Sequence, residues 1–330
     1  MFMKFSEKTI KRSRPLLGTY VKIELSAEAT EDDLNACLTE GFEAVSEVDR
    51  FMSYHREDSD LTRINRSEPE TWVQVNPLTV KVLQMSNELF LSSQGVFDIR
   101  CGAILADCGI LPSLTKLQVP FEKLKTLLMS AGKLPPVKIL GKRVKKTGPW
   151  IFDLGGIAKG FAVDQALKRI QRMASGFRIS GSMSGIVNAG GDLRVWGKKM
   201  FQVTTGRIPG GHSYFTKTFN VNQTAVATST VRTDPTSYIK PQALIKPQAL
   251  IKPQALTQAM TLAAHVKMSQ GTFLKKAGTT SVFAKNCLLA DALTKVILLA
   301  SREIADHCLS HYDARALIFG TDGHLLEMLT

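Results

Sequence analysis

Apolar and polar side chains alternate near the N-terminus in the way that a half-buried β-strand requires. From Thr19 to Leu25, every second residue is apolar, so one face of the segment is suited to a core. The next segment begins at Thr30 and has Asp33 three positions later, which is a helix-capping pattern. Its apolar residues then follow helical spacing as far as Met52. The pattern predicts a strand followed by one long amphipathic helix.

The same reasoning over the rest of the chain predicts a mixed α/β fold. Helical spacing, in two cases ended by a glycine, indicates four more helices. They are Leu78–Ser93, Phe121–Ala131, Ile157–Met173 and Cys287–Ser301. Strands are predicted at Val137–Leu140 and Arg143–Lys146, which two turn residues join, and at Gly185–Trp196.

The hexapeptide IKPQAL occurs three times in succession between Ile239 and Leu256. Proline lacks an amide donor and disfavours helix in the residue before it, so this segment cannot form a regular core helix or a central strand. Three copies of six residues are also too short for a solenoid. We expect an exposed loop, inserted in a domain that spans residues 15–330 and follows a basic N-terminal tail over residues 1–14.

Composition limits the class of protein. A chain of 330 residues that is 44% hydrophobic can bury a large core. The start lacks the apolar stretch of a secretion signal and no run has the length of a membrane span, so we expect a cytoplasmic protein without a membrane partner. Five scattered cysteines without a CxxC pair indicate reduced thiols.

The net charge of +13 attracts anions of any kind. The densest basic cluster, GKRVKKTG from Gly141 to Gly148, coincides with the predicted hairpin and is typical of a solvated turn. No aromatic RNA-binding signature or zinc-finger spacing accompanies it, so nucleic-acid binding is not favoured.

The segment WIFDLGGIAKGFAVDQAL, from Trp150 to Leu167, carries the strongest local signal for chemistry. Paired glycines at the start of a helix allow a phosphate to approach the free amides, and Lys159 adds a full positive charge. The spacing is not that of a P-loop. Tight helix packing is the alternative interpretation of the glycines. A second pair, Gly190 and Gly191 in NAGGDLRVWG, fits a bulge, a ligand approach or a structural kink.

The order of several segments resembles one known family. In chain order these segments are GTY at Gly18, FMSYHREDSDLTRINR, GVFD, DLGGIAKGFAVD, NAGGDLRVWG, VATS at Val226 and CLLADAL at Cys287. The series is similar to the FAD:protein FMN transferase family, formerly labelled thiamine biosynthesis lipoprotein, and this chain resembles a divergent member. The resemblance implies a two-lobed mixed α/β fold with the cofactor in a central cleft. It also implies magnesium-dependent transfer of FMN from FAD to a threonine of an acceptor protein, with release of AMP.

The resemblance implies roles for individual residues. The FAD-binding positions would be Leu17, Tyr54, Val96, Phe97, Asp98, Asp153 and Lys159. Magnesium, a hard cation that prefers oxygen ligands, would be held by Gly156, Asp291 and Thr294. The family's proposed catalytic base is a histidine, and Ser237 stands at its position.

The chain departs from the family pattern at the metal site as well. The family has a metal-binding threonine four positions after the aspartate, where this chain has Lys295, while Thr294 lies at three. A lysine four residues after an acid lies on the same helix face. We therefore expect Lys295 to pair with Asp291 and to oppose magnesium binding. In the alternative arrangement, Thr294 rotates in as the ligand and Lys295 points to solvent.

Three functions are compatible with the sequence. The first is the FMN transferase itself. The second is a non-catalytic flavin-binding or interaction protein that keeps the phosphate cradle but has lost the metal and the base. The third is a basic protein associated with nucleic acid.

Overall fold

An antiparallel sheet of eight strands forms the centre of the described part of the chain. The computed structural model describes residues 6–107, 110–112, 126, 134–177, 179, 181, 183–205, 217–230, 277–320 and 324–330. In spatial order its strands are β1 (Glu7–Leu16), β2 (Thr19–Glu28), β6 (Ser184–Ala189), β7 (Asp192–Trp196), β10 (Ala225–Thr230), β11 (Ala277–Ala284), β12 (Arg315–Gly320) and β13 (Leu325–Leu329).

Two smaller sheets and a set of helices accompany the large sheet. One small sheet contains β3 (Val73–Gln74), β5 (Arg143–Lys146) and β4 (Val137–Leu140), and the other contains β8 (Phe201–Thr205) and β9 (Lys217–Val221). The helices are α1 (Glu31–Met52), α2 (Asp60–Arg66), α3 (Pro77–Ser92), α4 (Gly102–Asp107), α5 (Ala158–Gly176), α6 (Cys287–Leu299) and α7 (Arg302–Tyr312). None of the described helices combines the length and the apolar character needed to cross a lipid bilayer. The predicted mixed α/β class is confirmed.

Helices α1, α5 and α6 pack side by side against the large sheet. Helix α5 contacts α1 on one side and α6 on the other, and both α5 and α6 contact sheet strands. Side chains from these layers form a hydrophobic core that includes the fully buried Phe42 and Phe152. The apolar faces that helical and strand periodicity predict therefore meet in this core.

The N-terminal segment is a strand from Glu7 onward. Strand β1 pairs with β2 along its whole length, from Glu7 opposite Glu28 to Leu16 opposite Thr19. Most of its side chains are exposed, and charged residues on an outer strand discourage pairing with other chains. The prediction of a basic tail over residues 1–14 is therefore wrong for residues 7–14, because an edge strand needs few apolar side chains.

The strand predicted over Gly185–Trp196 is two strands joined by a turn. Gly190 and Gly191 lie between β6 and β7 with φ values of +65° and +108°. Positive φ at both central residues gives the tight turn that matches the twist of a hairpin. The side chain of Asn188 closes it, since its Oδ1 accepts a hydrogen bond from Gly191 N at 2.9 Å. These glycines form a hairpin turn and not a bulge within one strand.

Most of the other predicted elements agree with the structure to within a few residues. The cap of α1 is confirmed, since Asp33 N donates to Thr30 Oγ1 at 3.1 Å. Strands β4 and β5 have the predicted bounds. The predicted helix Phe121–Ala131 lies almost entirely outside the described residues, and the loop Ile239–Leu256 lies wholly outside them.

Candidate functional site

The loop that leads into α5 is held by hydrogen bonds from two other segments. The side chain of Asn65 donates to Phe152 O at 2.8 Å and accepts from Phe152 N at 2.7 Å. Asp153 N donates to Ile99 O at 2.8 Å, and Asp153 Oδ2 accepts from Gly155 N at 3.1 Å. Burial raises the pKa of Asp153. The loop therefore presents the two glycines and the start of α5 from a fixed backbone.

Lys146 contacts Asn65, which in turn holds the same loop. Its side chain is buried, with the residue only 2% exposed, and Nζ donates to Asn65 O at 2.9 Å. Burial lowers the pKa of Lys146 to about 8, against an effect of Glu68 that raises it. Lys146 therefore loses its proton more easily in the folded chain than in the unfolded one.

This difference makes a testable contribution to stability. Between pH 8 and pH 10.5 the unfolded chain binds more protons at Lys146 than the folded chain does. The stability of the fold therefore rises with pH over this interval, and this gain is lost as the pH falls through about 8. We expect the free energy of unfolding of the natural chain to rise by about 2–3 kcal/mol relative to a Lys146→Met variant over that interval. Urea unfolding of both chains at several pH values measures it, and a constant difference between them would contradict it.

Helices α5 and α6 touch at Gly160, where the space between them excludes a side chain. A Cβ atom at Gly160 would lie 2.2 Å from Cys287 O and 2.8 Å from Asp291 Cβ. One helical turn further along α5, Asp164 caps α6, because its two carboxylate oxygens accept hydrogen bonds from Cys287 N at 3.0 Å and Leu288 N at 2.9 Å. These contacts hold Asp291 against the first turn of α5.

Sequence reasoning assigned no role to Asp164, although it noted the AVD motif that contains it. Helical spacing gives Asp164 only Lys168, four residues later on α5, as a partner. The hydrogen-bond partner of its carboxylate is instead the start of a helix more than a hundred residues later. Only the packing of α5 on α6 identifies Asp164 as a positioning residue.

Two acids and two lysines converge at this contact. Lys159 Nζ lies 2.5 Å from Asp192 Oδ2 and 3.8 Å from Asp291 Oδ2. Lys295 Nζ forms an ion pair with Asp291 Oδ1, and Gly160 N donates to Asp291 Oδ2 at 3.1 Å. The predicted pairing of Lys295 with Asp291 is thus confirmed. We call Lys159, Asp192, Asp291 and Lys295 the charge cluster.

Burial and charge oppose each other in the charge cluster. Burial raises the pKa of Asp291, but Lys295 and Lys159 outweigh it, so this pKa is below its ordinary value. Burial and the neighbouring Asp291 raise the pKa of Asp192. For Lys159, burial lowers the pKa, but Asp291 and Asp192 outweigh it and the net shift is upward. The ammonium of Lys159 is therefore stabilised in its charged form.

Lys295 lies beside two of the predicted cofactor and metal positions. A Cβ atom at Gly156 would be 3.7 Å from Lys295 Cε and 3.7 Å from Phe97 Cε2. The side chain of Lys295 is 22% exposed, whereas that of Asp291 is fully buried. The Lys295 side chain therefore contacts the buried carboxylate of Asp291 through its ammonium, while part of it stays exposed beside Gly156.

The hydroxyl of Thr294 is not oriented to bind a cation together with the carboxylate of Asp291. Its Oγ1 donates to Asp291 O at 2.6 Å and lies 2.7 Å from Ser229 Oγ. The residue is fully buried. Ser229 is the serine of the VATS segment, so this segment and α6 are in contact through the hydroxyl pair. The arrangement in which Thr294 rotates towards the metal position and Lys295 points to solvent is not observed.

These residues do not fit a magnesium site. Asp291 is the one carboxylate among the three predicted ligands, and both of its oxygens already accept hydrogen bonds, Oδ1 from Lys295 Nζ and Oδ2 from Gly160 N. A cation that shared the Asp291 carboxylate with Lys295 would be repelled by its ammonium. A divalent cation about 4 Å from an ammonium is repelled by about 8 kcal/mol at the effective dielectric of protein sites, which is about 20. No step of the chemistry below is therefore assigned to magnesium.

The turn at Leu17 reaches the same region. Leu17 and Gly18 connect β1 to β2 with positive φ values of 56° and 68°. A Cβ atom at Gly190 would lie 2.7 Å from Thr19 Oγ1, so the β1–β2 turn and the β6–β7 turn are neighbours. The second of these turns leads directly into Asp192 of the charge cluster. Leu17 therefore lies in the hairpin next to the one that leads into Asp192, the partner of Lys159.

The hydroxyl oxygen of Tyr54 is buried and has no hydrogen-bond partner among the described residues. The residue is 4% exposed, and its hydroxyl makes no hydrogen bond with any described residue. Burial, together with the nearby acids Asp153 and Cys101, raises the pKa of Tyr54 to about 12. An unsatisfied hydroxyl at such a position costs free energy unless a ligand pairs with it. Tyr54 therefore suits the edge of a ligand.

The remaining predicted positions are less directly connected. The carboxylate of Asp98 is paired with Arg100, 2.6 Å away, and also accepts from Arg100 N, so it is committed to a local structure. Val96 N donates to Ser93 O in the same turn. Ser237 lies outside the described residues. The structure thus brings Lys159, Asp291 and Gly156 together. Asp98 instead forms an ion pair with Arg100.

This fold is that of flavin transferases. A solved structure of the flavin transferase ApbE from Vibrio cholerae aligns with a TM-score of 0.70, covering 98% of this chain and 97% of that one at 20% identity. The flavinyl transferase ApbE of Pseudomonas stutzeri aligns equally well, with a TM-score of 0.70 over 100% and 95% of the two chains at 17% identity. At such identities the likeness concerns the fold alone.

Sequence comparison gives the family. The model of the ApbE family matches residues 17–242, and the chain belongs to that family. The FAD:protein FMN transferase of Vibrio cholerae is 26% identical over 186 residues, which are 56% of this chain and 54% of that protein. The Haemophilus influenzae protein of the same name is 24% identical over 184 residues, or 54% and 49%. These matches span about half the length of the curated relatives. The resemblance identified from the ordered motifs is confirmed.

Proposed function

We propose that the chain binds FAD at the charge cluster and transfers its FMN moiety to a threonine of an acceptor protein. The observation that carries the proposal is the contact of Lys159 with both Asp192 and Asp291 at the glycine-rich start of α5. This contact places a fixed ammonium beside backbone amides, which is a favourable environment for a pyrophosphate. Membership of the ApbE family supplies the reaction class.

The residues of the chain would act through binding and orientation. Lys159 and Lys295 would neutralise charge on the pyrophosphate, and Tyr54 and Phe97 would contact the flavin side of the ligand. The threonine oxygen attacks the FMN phosphorus as the bond from that phosphorus to the AMP oxygen breaks, and AMP leaves. The proton of the threonine hydroxyl is released to solvent water, because Ser237, which stands at the position of the family's histidine, is not a base at neutral pH.

A second function is favoured by two observations. Lys295 occupies the carboxylate of Asp291, and the family's histidine is replaced, so the chain could bind flavin without transferring it. This non-catalytic flavin-binding protein would use the same cradle. The two functions differ in their products, because only the transferase yields a flavin-labelled acceptor and AMP.

An activity measurement separates the two functions. Purified chain is mixed with FAD and with an acceptor protein that the Vibrio cholerae enzyme modifies, and covalent flavin fluorescence is followed on a denaturing gel while AMP is measured by chromatography. We expect fluorescence on the acceptor and equimolar AMP, and neither with an acceptor whose threonine is replaced by valine. Loss of both signals is expected for Lys159→Met. Bound FAD without either product would favour the second function, and no bound FAD would contradict both.

A further inference from the structure

The ammonium of Lys295 places a positive charge directly beside the carboxylate of Asp291. Its Nζ is paired with Asp291 Oδ1 and also donates to Asp291 O at 2.9 Å. Its Cε lies near Gly156, since a Cβ atom at Gly156 would be 3.7 Å from Lys295 Cε and 3.7 Å from Phe97 Cε2. The ammonium is therefore held by Asp291 within α6, and its aliphatic stem lies beside the loop before α5.

The two acids and the two lysines of the charge cluster carry equal and opposite formal charges, and Asp153, which interacts with both lysines, has a pKa that burial raises. Asp192 and Asp291 contribute two negative charges and are 4% and 0% exposed, while Lys159 and Lys295 contribute two positive charges at 32% and 22% exposure. A buried carboxylate pair of this kind requires an equal positive charge. The two ammoniums supply it, and both are the more exposed members of their pairs.

An ammonium can do part of what a divalent cation does for a phosphate. It is a compact, strongly hydrated point charge with three donors. Among the described residues, the donors of Lys295 meet two oxygens of Asp291, which leaves one donor for a further acceptor. Lys159 contributes a second ammonium bonded to Asp192 at 2.5 Å. Together they offer two fixed positive charges at the start of α5.

We propose that Lys295 replaces a divalent cation in this chain, so that Lys295 and Lys159 hold the pyrophosphate of FAD without magnesium. The inference rests on the proposed function for the identity of the ligand. The inference goes beyond the proposed function because it assigns to Lys295, a side chain of α6, the positive charge that magnesium would supply. It also gives a physical reason why Thr294 is turned towards Ser229, because the position beside Asp291 is already filled.

The test measures FAD affinity with and without magnesium, by quenching of flavin fluorescence in EDTA and in millimolar MgCl₂. For the natural chain we expect affinities that agree within about threefold. For Lys295→Thr we expect affinity to fall by about tenfold or more in EDTA and to recover in magnesium, because the threonine restores an oxygen ligand beside Asp291. Lys295→Arg, which keeps the charge, should stay independent of magnesium. Lys22→Thr, on the exposed face of β2, should behave as the natural chain.

A second measurement needs no FAD. Magnesium is added to the ligand-free proteins and their thermal unfolding is followed. We expect no change in Tm for the natural chain and an increase for Lys295→Thr, since removal of the ammonium frees the Asp291 carboxylate for the cation.

Three results of these measurements would contradict the proposed role of Lys295. FAD binding by the natural chain that strengthens tenfold or more with magnesium overturns the inference and leaves the proposed function standing. Lys295→Thr that binds FAD in EDTA as tightly as the natural chain also overturns it. Absence of FAD binding under every condition overturns both, because Lys295 then holds no pyrophosphate.

Discussion

Replacing Gly160 by alanine is expected to lower the free energy of unfolding by about 3 kcal/mol or more. The added Cβ would lie 2.2 Å from Cys287 O and 2.6 Å from Cys287 C, both of which are backbone atoms that no side-chain rotation can move away. Helix α6 would have to shift away from α5. Urea unfolding followed by circular dichroism measures the loss.

The matched control is Gly176→Ala at the other end of the same helix. A Cβ atom there meets nothing within 4 Å, and alanine in helical conformation restricts the unfolded chain more than glycine does. We expect no loss of stability in the control, or a gain of up to about 1 kcal/mol. Equal effects of the two substitutions would contradict the close contact of α5 with α6 at Gly160.

The Gly160 variant also tests whether the helix contact supports the site. A shift of α6 carries Asp291 and Lys295 away from Lys159, which is fixed on α5. We therefore expect weakened FAD binding in any Gly160→Ala protein that remains folded. Unchanged affinity in a destabilised but folded variant would show that the ligand does not depend on the charge cluster.

Replacing Asp164 by alanine is expected to cost about 2–4 kcal/mol of stability, with the same denaturation measurement. The carboxylate accepts hydrogen bonds from two amides that begin α6, and it pairs with Arg194 at 3.2 Å. Burial raises the pKa of Asp164, yet hydrogen bonds to a charged acceptor are among the stronger ones. Its loss leaves the Cys287 and Leu288 amides buried without an acceptor.

Two controls separate this capping role from a general effect of removing an acid. Asp164→Asn keeps the shape and one carbonyl acceptor, so we expect a loss between those of the natural chain and the alanine variant. Asp306→Ala removes an exposed acid that pairs with Arg302 in α7, and such surface pairs contribute about 0–1 kcal/mol. A loss for Asp164→Ala no larger than that for Asp306→Ala would contradict the role of Asp164 as the cap of α6.

The sequence was informative wherever the determining interactions are close along the chain. The cap at Thr30, the helical faces and the hairpin of β4 and β5 follow from periods and turn residues that act over a few positions. The pairing of Lys295 with Asp291 also belongs here, since both residues lie on one helix face four positions apart. Where a local signal was weak, as in the charged edge strand Glu7–Leu16, the same reasoning failed.

The sequence by itself therefore determined the fold class, most elements, the family and the one ion pair within α6. Tertiary structure alone decided that Lys159 meets Asp192 and Asp291, that Thr294 turns towards Ser229 and that Asp164 caps α6. These contacts join residues that lie from 33 to more than 130 positions apart in the sequence. Their distances depend on how closely α5 packs on α6 and on the sheet, which close packing of side chains fixes and no local pattern encodes.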